Sequence, residues 1–247
     1  WIEQGNHYYS CLSVAHLARV RMAQDLPIQG TVDVERLLSR WKDSALKQHA
    51  IIELVARVEL SLYQGHNPKQ VVNLWDVMFP QLGDLKILPS RFLRMLVADV
   101  ASRTVIYATG SAVPSWRSLF WQKFIEFILL QRDSSCWSKA IVFRHRAGLA
   151  LSRSKTNLAS ELYLEAGQNF EKAELPIYAA SCRLVGHGLQ GMSSDSIGLS
   201  AAAQSLRSLG VRPPQKMASV YAPEPYSHSN GDMHLEPGLG PVFQIRI

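Results

Sequence analysis

The sequence is poor in the residues that hold chains together by cross-link or metal. It has only three cysteines, Cys11, Cys136 and Cys182, odd in number, far apart and without a C-x-x-C pair. That excludes a disulfide framework and a cysteine-based zinc site, and leaves free thiols in a reducing, cytoplasmic setting as the expectation. No leader of basic residues followed by an apolar core opens the chain. No apolar run reaches the ~20 residues of a membrane-spanning helix. The most apolar stretch, Trp116 to Leu130, is interrupted by Arg117, Gln122, Lys123 and Glu126. The phosphate-loop pattern G-x-x-x-x-G-K-[ST], the zincin pattern H-E-x-x-H and the nucleophile-elbow pattern G-x-S-x-G are all missing. Nothing assembles a Ser/His/Asp or Cys/His set by spacing. The expectation is therefore no catalytic residues, no cofactor and no metal. Charged residues are also sparse, at 19%.

What is present is apolar material in helical register. Hydrophobic residues make up 47% of 247 residues, and the formal charge is +6, a composition suited to a packed core and unlike a disordered chain. Apolar residues recur at i, i+3, i+4 and i+7 in one segment after another: Ile51, Leu54, Val55, Val58 and Leu62; Val71, Leu74, Trp75 and Met78; Phe92, Leu93, Leu96, Val97 and Val100. Three more runs follow, at Ala140, Phe143, Ala147, Ala150 and Leu151, at Leu158, Leu162, Ala166 and Phe170, and at Ile177, Ala180 and Leu184. No run alternates as a strand would. Breakers divide these runs. Pro27 with Gly30 ends the first helix, with Thr31 or Asp33 as the next cap. Gly65 to Pro68 is a stop and a start. Pro80 to Pro89 is a loop with Ser90 as a cap, and Gly110 to Pro114 is another break. Asp133 to Ser135 open a helix, Thr156 caps one, Glu174 to Pro176 is a turn, Gly186 to Gly191 is an end, and Ser193 to Asp195 are caps.

The pattern predicts an all-α fold of nine or ten helices, with antiparallel helical hairpins stacked as a tetratricopeptide-like solenoid over residues 1–221. An irregular or flexible tail follows over 222–247, where Pro223, Pro225, Pro237 and Pro241 fall. Ala166-x-x-x-Phe170-x-x-Ala173 is similar to the second half of a tetratricopeptide repeat, with small residues permitting close helix approach and Phe170 filling the groove.

Several groups of residues invite a chemical reading. Gly186-His187-Gly188-Leu189-Gln190-Gly191 spells G-x-G-x-x-G, but a helical pattern precedes it rather than a strand, so it reads as a glycine-rich helix end. His228, Asp232, His234 and Glu236 are metal-ligand types in a tail with no regular element to fix their geometry. Trp116, Phe120, Trp121 and Phe124 could line a small-molecule or lipid pocket, or form core. A basic segment, Arg144, His145, Arg146, Arg153 and Lys155, falls away from the Phe143/Ala147/Ala150 face and reads as a solvated surface. From it come the candidate partner-binding residues Arg144, Arg146, Arg153 and Lys155, suited to an anionic partner.

The C-terminal third supports a resemblance. Glu161 to Phe170, Ile177 to Gly186 and Ala201 to Gly210 are followed by Val211-Arg-Pro-Pro-Gln-Lys-Met217 and Tyr221-Ala-Pro223. Over roughly residues 137–223 this order resembles the C-terminal end of bacterial serine/threonine protein kinases fused to a STAND-type ATPase, which close in tetratricopeptide-like helices. Ala202, Leu206, Gly210, Val211, Pro214, Lys216 and Met217 occupy the closing pattern A-x-x-x-L-x-x-x-G-[IV]-x-x-P-x-[RK]-M. The resemblance implies a non-catalytic sensor or scaffold region of a larger signalling protein. Its kinase and ATPase motifs would lie upstream of Trp1, the residue on which this chain opens in place of Met. Its partner would be a protein, a peptide or other domains of the parent chain. A basic helical nucleic-acid-binding domain of a transcriptional regulator is the alternative.

Overall fold

The computed structural model describes residues 7–39, 47–82, 91–109, 133–190 and 196–225. The aromatic stretch Trp116–Leu130, the tail residues His228, Asp232, His234 and Glu236, and the caps expected at Ser90 and 193–195 lie outside them. Among the described residues there are ten helices and no strand. They are α1 (His7–Ala23), α2 (Pro27–Leu38), α3 (Lys47–Tyr63), α4 (Pro68–Leu82) and α5 (Arg91–Ala108), then α6 (Cys136–Leu151), α7 (Thr156–Lys172), α8 (Pro176–Leu189), α9 (Ser196–Ser208) and α10 (Pro214–Tyr221).

One local device ends five of these helices. After α1, α3, α6, α7 and α9 a single residue takes the left-handed conformation: Asp25 (φ 59°), Gly65 (67°), Ser154 (58°), Glu174 (58°) and Gly210 (83°). In each case its N–H donates to the carbonyl three residues back. The next N–H reaches five back, as in Leu26 to Arg21, His66 to Ser61, Lys155 to Ala150, Leu175 to Phe170 and Val211 to Leu206. These paired bonds satisfy carbonyls that the last helical turn leaves open. The following helix then starts almost at once. Proline opens α2, α4, α8 and α10 (Pro27, Pro68, Pro176 and Pro214), where its missing N–H costs nothing.

Several boundaries differ from the sequence reading for this reason. Pro27 begins α2 instead of ending α1, and Gly30, Thr31 and Asp33 lie inside that helix. Asp33 caps nothing; it is buried and accepts from Arg21 Nε at 2.8 Å and Arg36 Nη2 at 2.9 Å. Pro80 lies within α4, and Thr156 is the first residue of α7. Ser135 does cap α6, accepting from the Ser138 N–H, while Asp133 accepts from the Ser135 N–H at 2.8 Å.

Each helix packs on its sequence neighbour or next-but-one: α1 on α2 and α3, α3 on α4 and α5, α5 on α6, then α6, α7 and α8 in a row, and α8 on α9 and α10. The last helix then packs back against α3. The Arg212 N–H donates to the Ala23 carbonyl at 2.9 Å, and Lys216 Nζ lies 3.2 Å from Asp25. The C-terminal helices therefore meet the α1–α2 turn, and a continuous core runs from Val14 and Ile51 through Val100 to Phe170 and Tyr221. Beyond α10, Ala222 and Pro223 are still buried without being helical.

Small residues set the closest approaches. A Cβ on Gly148 of α6 would sit 2.4 Å from Ile106 Cγ2 of α5. Gly148→Ala should therefore destabilise the chain by about 1–3 kcal/mol through overpacking, read as a lower midpoint in urea. Gly188→Ala, whose Cβ would meet only Leu199 Cδ1 at 3.8 Å among the described residues, should leave the stability unchanged or raise it by up to ~1 kcal/mol through helix propensity.

Candidate functional site

The core of the described residues encloses a set of charged side chains. Asp99 and Arg103 stand one helical turn apart on α5, with no exposure of either side chain, and pair at 2.8 Å. Arg103 also pairs with Glu59 of α3 at 2.7 Å, and Asp99 with Arg144 of α6 at 2.8 Å. Arg19 of α1 completes Glu59 from the other side through two bonds of 2.9 Å. Three guanidinium groups thus meet two carboxylates, and one positive charge is left over.

That excess is met by weaker acceptors. Arg144 Nη1 donates to the Tyr221 carbonyl at 3.1 Å and Arg103 Nη1 to the Val220 carbonyl at 3.4 Å. These are open carbonyls at the C-terminal, negative end of α10. The Arg103 guanidinium also lies 5.2 Å from the Tyr221 ring centre and 5.8 Å from that of Tyr178, and Arg144 lies 5.5 Å from Phe170, distances suited to cation–π attraction.

The protonation states follow from this geometry. Burial favours a neutral Glu59, but Arg19 and Arg103 outweigh it and hold the carboxyl down at about 2. Burial likewise opposes charge on Arg103, and Asp99 and Glu59 overcome it, so the guanidinium stays protonated. Burial alone dominates at Cys182, whose thiol is pushed up to about 12, which makes it an inert core residue.

Next to the cluster, Ser102 Oγ lies 3.2 Å from His145 Nδ1, both residues buried. A serine and a histidine in contact are a pair of catalytic type that the spacing did not disclose. Both are buried, and among the described residues His145 Nε2 has no partner. Burial, then the adjacent Arg144, push the imidazole from 6.5 down to about 4, so it is neutral.

The basic segment is divided by the fold. Arg144 and His145 are core, at 0% and 1% exposure, which corrects the reading of Arg144 as part of a solvated, partner-facing surface. The physical reason is that α6 is covered by both α5 and α7, so its buried face is far wider than the Phe143/Ala147/Ala150 stripe. Asp99, 45 residues away, supplies the counter-charge that makes burial tolerable. Arg146, Arg153 and Lys155 are exposed, and so is Lys139, one heptad before Arg146. None of these four side chains has a carboxylate partner among the described residues. The glycine-rich motif is structural where it is described. Gly186 and Gly188 lie inside α8, and a Cβ on Gly186 would press on Leu164 at 3.0 Å. Among the described residues no group of His, Cys, Asp and Glu could hold a metal, and no helix is long and apolar enough to cross a membrane.

No family model matches the chain, and neither a curated protein nor a solved structure is found to be similar to it.

Two outcomes follow from the cluster. Arg144→Met should cost about 3–5 kcal/mol in chemical denaturation, because a buried carboxylate loses a partner, whereas Arg146→Met should stay within about 0.5 kcal/mol. Stability should also fall as pH drops from 6.5 to 4. In that window the unfolded chain takes a proton at His145 that the folded chain refuses, worth about 3 kcal/mol across the window. His145→Gln should reduce that slope and leave the part due to His16 and His66, both also lowered by burial. The further loss that Glu59 causes as pH falls from 4.5 towards 2 should remain.

Proposed function

We propose that this chain is a non-catalytic helical interaction module, the sensor or scaffold region of a larger signalling protein of the kinase–ATPase kind that its C-terminal third resembles, and that its partner is an acidic protein segment. The observation that carries the proposal is the contrast between two sets of cations. Arg19, Arg103 and Arg144 are consumed by internal carboxylates. Lys139, Arg146, Arg153 and Lys155 lie exposed on α6 and the turn after it, with no carboxylate partner among the described residues. Unmatched surface cations are suited to an anionic partner and steer its approach.

Two features support the scaffold part of the reading. Helix pairs end repeatedly in the same left-handed cap, as expected of stacked hairpins in a tetratricopeptide-like array. The residues of the closing pattern have structural roles: Ala202, Leu206, Val211, Pro214 and Met217 are buried, Gly210 is left-handed and Lys216 reaches Asp25. An acidic protein segment is preferred to nucleic acid because Lys139 and Arg146 stand one heptad apart, about 10 Å along the helix. That interval matches carboxylates one heptad apart on a partner helix.

The full chain should bind a labelled helical peptide carrying glutamates at seven-residue intervals, and the triple variant Arg146→Glu, Arg153→Glu, Lys155→Glu should bind it at least tenfold more weakly with unchanged circular dichroism. Steeply salt-dependent binding of duplex DNA with no peptide binding would move the assignment to the nucleic-acid alternative. Binding of neither would overturn both.

A further inference from the structure

We infer that residues 211–223 are a detachable C-terminal latch, an in-cis ligand seated in a peptide-binding site whose grips are Arg103, Arg144 and Tyr163. The latch involves none of the exposed α6 cations and does not depend on the acidic-partner reading.

The site holds α10 as a receptor holds a helical peptide. Three fully buried donors on three different helices reach backbone carbonyls of this segment. These are Arg103 of α5 to Val220 at 3.4 Å, Arg144 of α6 to Tyr221 at 3.1 Å, and the Tyr163 hydroxyl of α7 to Pro223 at 2.7 Å. Side-chain anchors complete the grip. Tyr221 packs 4.4 Å from the Tyr178 ring centre of α8, and Met217 and Val220 are fully enclosed. Met217, Val220 and Tyr221, buried at i, i+3 and i+4 on one face of α10, are anchors of the helix-in-groove mode of recognition, and the clamp on carbonyls fixes the end of the helix.

The segment itself is built to be held, not to stand alone. It has two helical turns, too few for a helix to persist in water without packing. Gly210, left-handed at φ 83°, precedes it, and Pro213 and Pro214 prevent α9 from running into it. On its outer side the ties to the α1–α2 turn are the Arg212 N–H to Ala23 bond and the half-exposed Lys216–Asp25 pair. The grip is also electrically matched to the segment. The cluster holds one cation more than it has carboxylates, and among the described residues Arg103 Nε and Arg144 Nε have no partner even with α10 in place. The open carbonyls at the end of α10 offset that excess, so an undocked latch leaves a site that demands acceptors of the same kind. The occupant that meets this demand is the segment itself.

Native-state amide exchange on the full chain tests whether the latch opens by itself. The amides of residues 217–222 should exchange at least tenfold faster than the core amides of α5 and α8, through an opening that leaves those helices protected. Uptake of a fluorescent peptide spanning residues 211–225 tests the site. The chain carrying Met217→Ala, which weakens the latch and leaves the receptor intact, should bind the peptide at least about tenfold more tightly than the unmodified chain. A peptide carrying the same substitution should bind less tightly. Exchange of α10 only together with α5 and α8 would overturn the inference, as would absence of peptide uptake by both chains. The exchange experiment needs no variant, so it decides between opening and no opening even where the Met217→Ala chain fails to fold.

Discussion

Six helices meet through one buried set of charges. Asp99 and Arg103 lie on α5, the helix between the N-terminal helices and the α6–α8 stack. Through them α5 is tied to Glu59 of α3, to Arg19 of α1 by way of Glu59, to Arg144 of α6, to Tyr178 of α8 and to the end of α10. Removing charges from water is expensive, and a buried pair does no better than break even against well-packed apolar side chains. What the cluster supplies is register. A helix shifted by one turn would separate a carboxylate from its guanidinium, and each unpaired buried charge would cost several kcal/mol. Apolar faces as even as those of α5 tolerate many such shifts, so the charges select one arrangement among packings of similar apolar burial.

The same cluster explains the path of the chain at its end. A helical array built only from local hairpins has no reason to bring its last helix to its first pair. Here the excess positive charge at the centre calls for acceptors, and the open carbonyls of α10 provide them. The return of α10 brings Lys216 to Asp25 and seats Tyr221 between Tyr178 and Arg103. Binding chemistry and closure of the fold are thus one interaction seen from two sides.

Function has to be sought on the outside of such a molecule. Core groups with altered acidity, among them Glu59, His145 and Cys182, owe it to burial and to the buried charges beside them. Perturbed acidity is a marker of active sites only where a cleft gives access. Among the described residues, the exposed cations of α6 and its following turn are open to a partner.

Helical class and helix number were legible because apolar periodicity is a local property. So were the hairpin turns at Gly65–Pro68 and Glu174–Pro176, because left-handed caps and first-turn prolines are set within five or six residues. The burial of Ala166 and Phe170 could be read in the same way. Boundaries failed where a residue has two local uses: Asp33 can cap a helix or, as here, pair with Arg21 from inside one. The site was misread at Arg144 for a deeper reason. A charged residue beside an apolar stripe looks solvated unless its counter-charge is known, and Asp99 is distant in the sequence. A faint trace was present, an Asp and an Arg one turn apart among the apolar residues of α5. Which segments are helical, and where they turn, is written in patterns a few residues long. Which charges lie inside is settled by the packed arrangement of the helices, because pairing energy depends on distance in space and no local pattern records it.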